Sequence, residues 1–531
     1  MFDTRDVLRG VCEAIPPGAR VDLPALLELA RGVVRRDEAV PVLAPEGQRT
    51  WSTQELLSTE QAALDLVAAR RAEGVGVVSD EVVTATLTAY ELAPEQVALV
   101  QALTTSGAGV DIVVGPAGAG KTHALRAARE AWERAGHPVL GTALAAIAAR
   151  ELERGAGIRA TSLARLLGEV DRSGLPPGAI LVVDEASMVG TRQLARLLGA
   201  AFAARAKVVL VGDPCQLPEI EAGGLFAALA RTPAAITLTD NQRQAEPWER
   251  AALIQLRNGD VETALVSYAA QNRIHLAATV DELNKRIVAD LLVARCASDG
   301  DDAVILTSRR VDATRLNVAV RDYLRAHGLL GESEIQVSEG ERARAFSSGD
   351  EVVVTRNDYA RGLLNGTRGV VTAVDSRGRW LQLTTRDGAT VRVGAGWAAG
   401  RLDHAYAITC HRAQGMTIDT ALLYGTAALC REAGYVAMSR GRRANHVYAS
   451  ADSHDAEHGC DIDAEVTMEP VDEARLVEQA ASALTELLTK SRRQRLAHEH
   501  RPDRHLEEVR ARGDEGPAQA RSRLHALPRA M

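Results

Sequence analysis

Gly115-Pro116-Ala117-Gly118-Ala119-Gly120-Lys121-Thr122 decides how this chain folds. It has the spacing G-x-x-x-x-G-K-[ST]. The apolar run Val110–Val114 precedes it, and a helix-forming stretch from Lys121 to Ala135 follows, with Gly136 as its stop. Strand, glycine loop and helix together aim backbone N–H groups and a helix N-terminus at an anion. The loop from Gly115, Pro116, Ala117 and Gly118 through Ala119 and Gly120, with Lys121, Thr122 and His123, is therefore the candidate phosphate site. Lys121 would reach the β- and γ-phosphates of a nucleotide, and the Thr122 hydroxyl would ligate Mg²⁺. ATP and Mg²⁺ are the implied ligands.

Outward from the loop, short apolar runs alternate with amphipathic ones. Val139 to Leu144, Ile180 to Val183, Val208 to Val211 and Ile236 to Leu238 read as buried strands. Ala145 to Glu153 and Thr191 to Arg205 read as helices between them. Such alternation predicts an α/β fold with a parallel sheet covered on both faces. A second set of the same texture runs from about 273 to 325 and resumes from about 405 to 450. Between them, EVVVTR, GVVTAVD, WLQLTT and ATVRVG are separated by NGTRG, DSRGR and RDG turns, which predicts a small inserted β-barrel. The expected divisions are 1–90 (mostly helical), 91–235 (first α/β unit), 236–340 and 398–455 (second unit), 341–397 (insertion) and 456–531 (a charged, partly disordered tail with one helix near Val471 to Leu488). Near the start, Ser52 and Glu55 suggest a capping box, and Pro41 to Gly47 a loop.

With 531 residues, about three domains are expected. Hydrophobic residues at 46% and charged residues at 25% exclude wholesale disorder. The net charge of −8 excludes a uniformly basic nucleic-acid binder, so any such surface must be local. Only four of the 62 basic residues are lysines (Lys121, Lys207, Lys285 and Lys490), so lysine chemistry has few candidates. Six scattered cysteines without a C-x-x-C pair exclude zinc-finger and redox motifs and fit a reducing cytoplasm. Uncharged runs such as Ala135–Ala149 are too short to span a bilayer, so no membrane insertion is expected.

The run Ile180 to Glu185 ends in two acids at a strand C-terminus, where α/β sheets place ligand chemistry. Asp184 would serve the Mg²⁺ shell, and Glu185 would polarise the attacking water. Downstream come Val211-Gly212-Asp213-Pro214-Cys215-Gln216-Leu217-Pro218, Leu238 to Gln244, Tyr406 to Thr417, and Tyr435 to Arg440. Taken in order with Leu92-Ala93-Pro94-Glu95-Gln96, these blocks resemble the motifs of superfamily 1 helicases of the RecD/TraA type. That family includes exonuclease V alpha subunits and the helicase half of MobF (TrwC-type) conjugative relaxases.

The resemblance covers about residues 90 to 450. It implies two RecA-like P-loop domains and an SH3-like insertion. It also implies roles: Gln96 reads adenine, Gln216 senses the γ-phosphate, and Arg243 and Arg440 are arginine fingers. Arginine suits the last role because its planar fork pairs with phosphate oxygens bidentately. Single-stranded DNA is the implied partner, tracked by Thr142, Thr161, Thr307, Arg309, Asn317, Arg356, Asn357, His411, Gln414 and Thr417.

Two departures from the family pattern qualify it. The stretch from Leu167 to Ile180 is short for a strand-splitting hairpin, so translocation is better supported than unwinding. The first histidine is His123 and the first tyrosine Tyr90, so the DNA-nicking half of a relaxase is expected to be absent and a nickase is a possible partner. The expected activity is an ATP-dependent DNA motor moving 5′ to 3′. The alternatives are a repair or recombination helicase of the exonuclease V alpha type, a non-motor P-loop ATPase, and a passive DNA-binding scaffold. His498-Glu499-His500 is expected to be a solvated charged run rather than a metal site.

Overall fold

The computed structural model describes residues 2–500 apart from 17–18, 37, 44–48, 220, 297–301, 341 and 452–472. The P-loop strand Val110–Val114 lies inside a six-stranded sheet. In spatial order the strands are Ala160–Ser162, Val139–Ala143, Ile180–Asp184, Lys207–Gly212, Val110–Val114 and Ile236–Thr237, with every pairing parallel. The period of two sorts their side chains. Ile112, Leu181, Val183, Val208 and Leu210 enter one core. Val113, Ile180, Val182, Val209 and Val211 enter the other. Burial on both faces explains why these runs are continuously apolar. Two differences from the sequence reading follow from pairing. Ala160–Ser162 is an edge strand that its short, polar sequence hid, and Ile236–Thr237 pairs with Val113 and Val114, so the first sheet runs past residue 235.

The second sheet is also parallel, in the order Ala407–Thr409, Ala303–Thr307, Ile418–Tyr424, Gly441–Ser450 and Ile274–Ala277. Its strands come from both sides of a β unit that leaves after the helix Arg310–Ala326. That unit is a hairpin, Glu334–Glu339 with Arg342–Ser347, laid on a five-stranded antiparallel sheet. The sheet order is Thr390–Gly394, Trp380–Thr385, Arg368–Asp375, Glu351–Val354 and Leu402–His404. Ile335, Val337 and Phe346 of the hairpin share a core with Val352, Val371 and Leu381. The unit therefore extends beyond 341–397 at both ends, because the hairpin and the strand Leu402–His404 complete its core. Asp350, fully buried, joins it to the second lobe: it accepts from Arg321 Nε at 3.1 Å, Tyr406 O–H at 2.9 Å and Ser347 N at 2.7 Å.

The N-terminal region holds helices Thr4–Ala14, Leu23–Val34, Gln54–Ala69 and Asp80–Leu87, with an unanticipated hairpin, Ala39–Leu43 with Arg49–Thr53. Pro41 lies in the first of these two strands, not in a loop; a two-stranded sheet is all edge, where proline is tolerated. The cap of Gln54–Ala69 is Thr53, whose hydroxyl accepts from Leu56 N at 3.2 Å. The strand runs through Thr53, its last residue, and the helix starts at Gln54, so the cap falls one residue later than expected. Further along, helix Glu473–Thr489 and the segment to His500 pack against the molecule. The disorder expected for the last part of the tail falls on 501–531, outside the described residues. Among the described residues no helix is long and apolar enough to cross a membrane, and no group of three His, Cys, Asp or Glu could hold a metal. Glu499 instead pairs with Arg231.

Candidate nucleotide cleft and nucleic-acid surface

The loop between Val114 and Lys121 faces a cavity of about 440 Å³ between the two lobes. Gly118 and Gly120 have φ of +84° and +72°, a region L side chains avoid. A Cβ on Gly118 would lie 2.5 Å from Arg243 Cβ, so glycine there lets the segment carrying Arg243 close onto the loop. Gln242 N donates to Gly118 O at 2.9 Å across that contact. Lys121 Nζ donates to Gly115 O at 2.7 Å and Pro116 O at 3.0 Å. Burial pulls its pKa down, while Glu185, Asp213 and Asp184 oppose that shift.

Asp184 and Glu185 stand at the end of their strand, on the cavity wall. Glu185 takes a left-handed φ of 49°, and its N–H donates to Asp184 Oδ1 at 2.9 Å. Desolvation first, then the neighbouring Glu185, raises the Asp184 carboxyl to about 6. A divalent cation would relieve this crowding, and Thr122 and Asp184 both line the cavity, so the donor set fits Mg²⁺. Gln216 is 3% exposed, and its buried Oε1 has no partner among the described residues. An orphaned amide oxygen on the cavity wall fits a group that meets bound nucleotide or its metal shell.

Both arginines reach this wall from beyond the first lobe's core. Arg243 Nη1 donates to Ser439 O at 3.0 Å. Arg440 is 1% exposed and donates to Val436 O at 2.9 Å, Met416 O at 3.2 Å and Ser439 Oγ at 2.9 Å. Gln414 Nε2 donates to Glu185 Oε2 at 3.3 Å, tying the second lobe to the acid pair.

Two residues of the sequence motifs, Asp213 and Tyr435, carry contacts that the sequence did not assign. Tyr435 O–H accepts from Ala117 N at 3.3 Å and donates to Asp213 Oδ2 at 3.0 Å, and Arg257 pairs with Asp213 at 3.0 Å. Tyr435 thus joins P-loop, Asp213 loop and second lobe at one hydroxyl. Glu151, on helix Ala146–Ala156, was missed altogether, since a lone acid on an amphipathic helix carries no signal. It stands at the cleft rim, open to the cavity yet hemmed in by protein. That partial desolvation, with Asp184 and Glu185 nearby, pushes its carboxyl up to about 7.

The folded chain therefore holds this proton more tightly than the unfolded chain, whose ordinary value is 4.5. Between those values stability falls as pH rises, and above about 7 the whole penalty is present. Glu151→Gln is expected to raise Tm relative to wild type at about pH 8 and to lose most of that gain at about pH 5. Thermal unfolding at both pH values checks this; an equal shift at both would assign the effect to packing instead.

Not every expected contact reaches a site. Gln96 is buried beneath the P-loop: its Oε1 accepts from Ala93 N at 3.0 Å and its Nε2 reaches Gly120 O at 3.5 Å. That places it as a brace for the loop. His123 turns away from the cavity, with Nε2 3.2 Å from Glu91 O.

Three expected DNA contacts are closed off. Thr142 is fully buried and donates to Thr161 O at 2.9 Å. Thr307 is fully buried and donates to Arg309 O at 2.9 Å. Asn317 holds the edge strand of the second sheet through Ala407 O at 2.9 Å and Ala407 N at 2.8 Å. In each case a backbone group of the same lobe already holds the side chain. Thr417 is exposed but lines the nucleotide cavity.

Thr161 is half-buried, and Arg309 is partly exposed while pairing with Asp312. Arg356, Asn357 and His411 are exposed. The β unit reaches the first lobe: Arg150 Nη1 donates to Gly362 O at 2.9 Å, and Arg154 pairs with Asp387. It thus bridges the lobes on the side of helix Ala146–Ala156.

Residues 91–279 match the model of the AAA domain family. The chain is 36% identical over 461 residues to the conjugal transfer protein TraA of Rhizobium radiobacter, covering 84% of this chain and 41% of TraA. It is 30% identical over 452 residues to the ATP-dependent RecD2 DNA helicase of Deinococcus radiodurans, covering 81% of this chain and 59% of that protein. A Pif1 helicase from Bacteroides solved with ADP-AlF3 and ssDNA aligns over 67% of this chain and 92% of its own, at 20% identity and a TM-score of 0.45. The chain spans about two-fifths of the length of the TraA relatives it matches. P-loop, acid pair and paired arginines thus gather at one cleft in a chain that is similar, over more than four-fifths of its length, to TraA conjugal transfer proteins and to a RecD2 DNA helicase.

Proposed function

We propose that this chain is an ATP-driven motor that moves 5′ to 3′ along single-stranded DNA during conjugative DNA transfer. The observation that carries the reading is the cleft itself: Arg243 and Arg440 meet at Ser439, on the same cavity wall as the acid pair. Lys121 and the N–H groups of Gly118 to Thr122 hold the phosphates. Glu185 orients the attacking water and accepts its proton. Arg243 and Arg440 stabilise charge on the transferred phosphoryl group. Thr122 and Asp184 would hold a Mg²⁺ ion, which would further neutralise that charge. Closure of the two lobes completes the site, and product release reopens it.

DNA is expected to run over the half-buried and exposed side chains Thr161, Arg309, Arg356, Asn357 and His411, under an SH3-like β unit that spans the lobes. A nickase acting on the same strand is the partner this role calls for, in the cytoplasm. The TraA match, higher in identity than the RecD2 match, favours transfer over repair. ATP hydrolysis measured with and without single-stranded oligonucleotide tests the reading, followed by unwinding of 5′- and 3′-tailed duplexes. Hydrolysis is expected to rise at least about tenfold with DNA, and activity to require the 5′ tail. Hydrolysis indifferent to DNA would overturn the motor.

A further inference from the structure

We infer that residues 490–500 form a strap fastened to both lobes, and that Gln494 on it is a positioning residue for the loop carrying Gln216. The inference rests on the ATPase reading above and adds a component to it.

The strap begins at a firm anchor. Helix Glu473–Thr489 buries Leu484, Leu487 and Leu488 in the core that holds Val436, two residues from Met438 and four from Arg440. Immediately after it, Lys490 O accepts from Arg431 N at 2.9 Å. Both oxygens of the fully buried Glu432 are then engaged, by Ser491 Oγ at 2.6 Å and Arg492 N at 2.9 Å. This end therefore moves with the second lobe.

The other end moves with the first lobe. Leu496 is 1% exposed and enters the core beside Phe226. Ala497 N and His498 N donate to the two oxygens of Glu60 at 3.1 and 3.0 Å, and Glu60 is itself buried. A Cβ on Gly224, whose φ is +98°, would lie 2.7 Å from the Arg495 carbonyl carbon. Only glycine lets the strap lie against the chain there.

Between its anchors the strap crosses the loop that leaves the strand Lys207–Gly212. Gln494 Nε2 donates to Glu219 O at 2.7 Å and Glu221 O at 3.2 Å, and its Oε1 accepts from Gly223 N at 2.7 Å. Arg493 Nη2 donates to Arg257 O at 3.1 Å, and Arg257 pairs with Asp213 at 3.0 Å. One amide thus grips the far end of the loop, while its neighbour holds the backbone of Arg257, the residue whose guanidinium pairs with Asp213 at the near end. Gln216, with its orphaned oxygen, lies between them. A link fixed at both lobes carries their relative movement into whatever it grips midway. Here that is the loop of the γ-phosphate sensor, so the strap couples lobe closure to Gln216.

Gln494→Ala in the full chain tests this, assayed for ATP turnover with single-stranded oligonucleotide and for thermal unfolding. The expected result is a kcat lowered about tenfold with the KM for ATP within about twofold of wild type. Ser491→Ala, which loosens the opposite anchor at an exposed residue, is expected to give the same split to a smaller degree. It decides the question if Gln494→Ala fails to fold. A brace that only adds stability would lower Tm and leave kcat unchanged in both variants, and that result overturns the inference alone. A wild-type chain inert towards ATP would overturn the ATPase reading, and the strap's role with it.

Discussion

Lys121→Ala is expected to lower ATP turnover by about a thousandfold or more, to the edge of detection in a steady-state assay. Lys121 is the only lysine lining the cleft, and no neighbouring ammonium can replace it: Lys207 is buried against Asp111 at 2.6 Å, at the opposite end of the strands. The fold should survive the change. Burial disfavours the charged form of Lys121, and its hydrogen bonds run to two carbonyls of its own loop. Removing a poorly solvated cation costs little stability. Tm is therefore expected to stay near the wild-type value while turnover disappears. Retained turnover would remove the assignment of the whole phosphate site. Loss of Tm along with turnover would mean that the lysine holds the loop together instead.

Arg243→Ala is expected to lower kcat by about a thousandfold while nucleotide still binds, as fluorescent-nucleotide titration would register. Its guanidinium touches Ser439 O, beside Arg440, and burial together with the Arg440 charge pulls its pKa down. Two cations held close in a dry cleft repel unless an anion sits between them. On the proposed function, that anion is the γ-phosphate. Arg243→Lys is expected to recover only part of the loss, because an ammonium lacks the planar fork. A lysine variant equal to wild type would reduce Arg243 to a general positive charge, and an alanine variant equal to wild type would make it purely structural.

The cleft was legible in the sequence because its chemistry is local. Each of Lys121, Asp184, Gln216 and Arg243 sits at the end of a strand or in the loop just beyond one, where apolar runs and glycines mark its place. Residues that act through partners distant in the chain were silent. Glu151 matters because helix Ala146–Ala156 points it at the acid pair, and Tyr435 because its ring crosses between lobes to Ala117 and Asp213. The surface residues went wrong for the complementary reason. Thr142, Thr307 and Asn317 have the right chemistry for a phosphate backbone, but backbone groups of their own lobes already hold their side chains.

By itself the sequence determined the two parallel sheets, the β insertion between the halves of the second and the phosphate loop. Periodicity, glycine placement and buried apolar runs are properties of neighbouring residues, and the chain cannot satisfy them any other way. Only the tertiary structure decided which polar side chains remain available, where the β unit touches the first lobe, and that the segment after Thr489 crosses back over both lobes. Those outcomes depend on which backbone and side-chain groups meet once the elements pack, at separations as large as 437 residues, and residue pattern alone does not encode them.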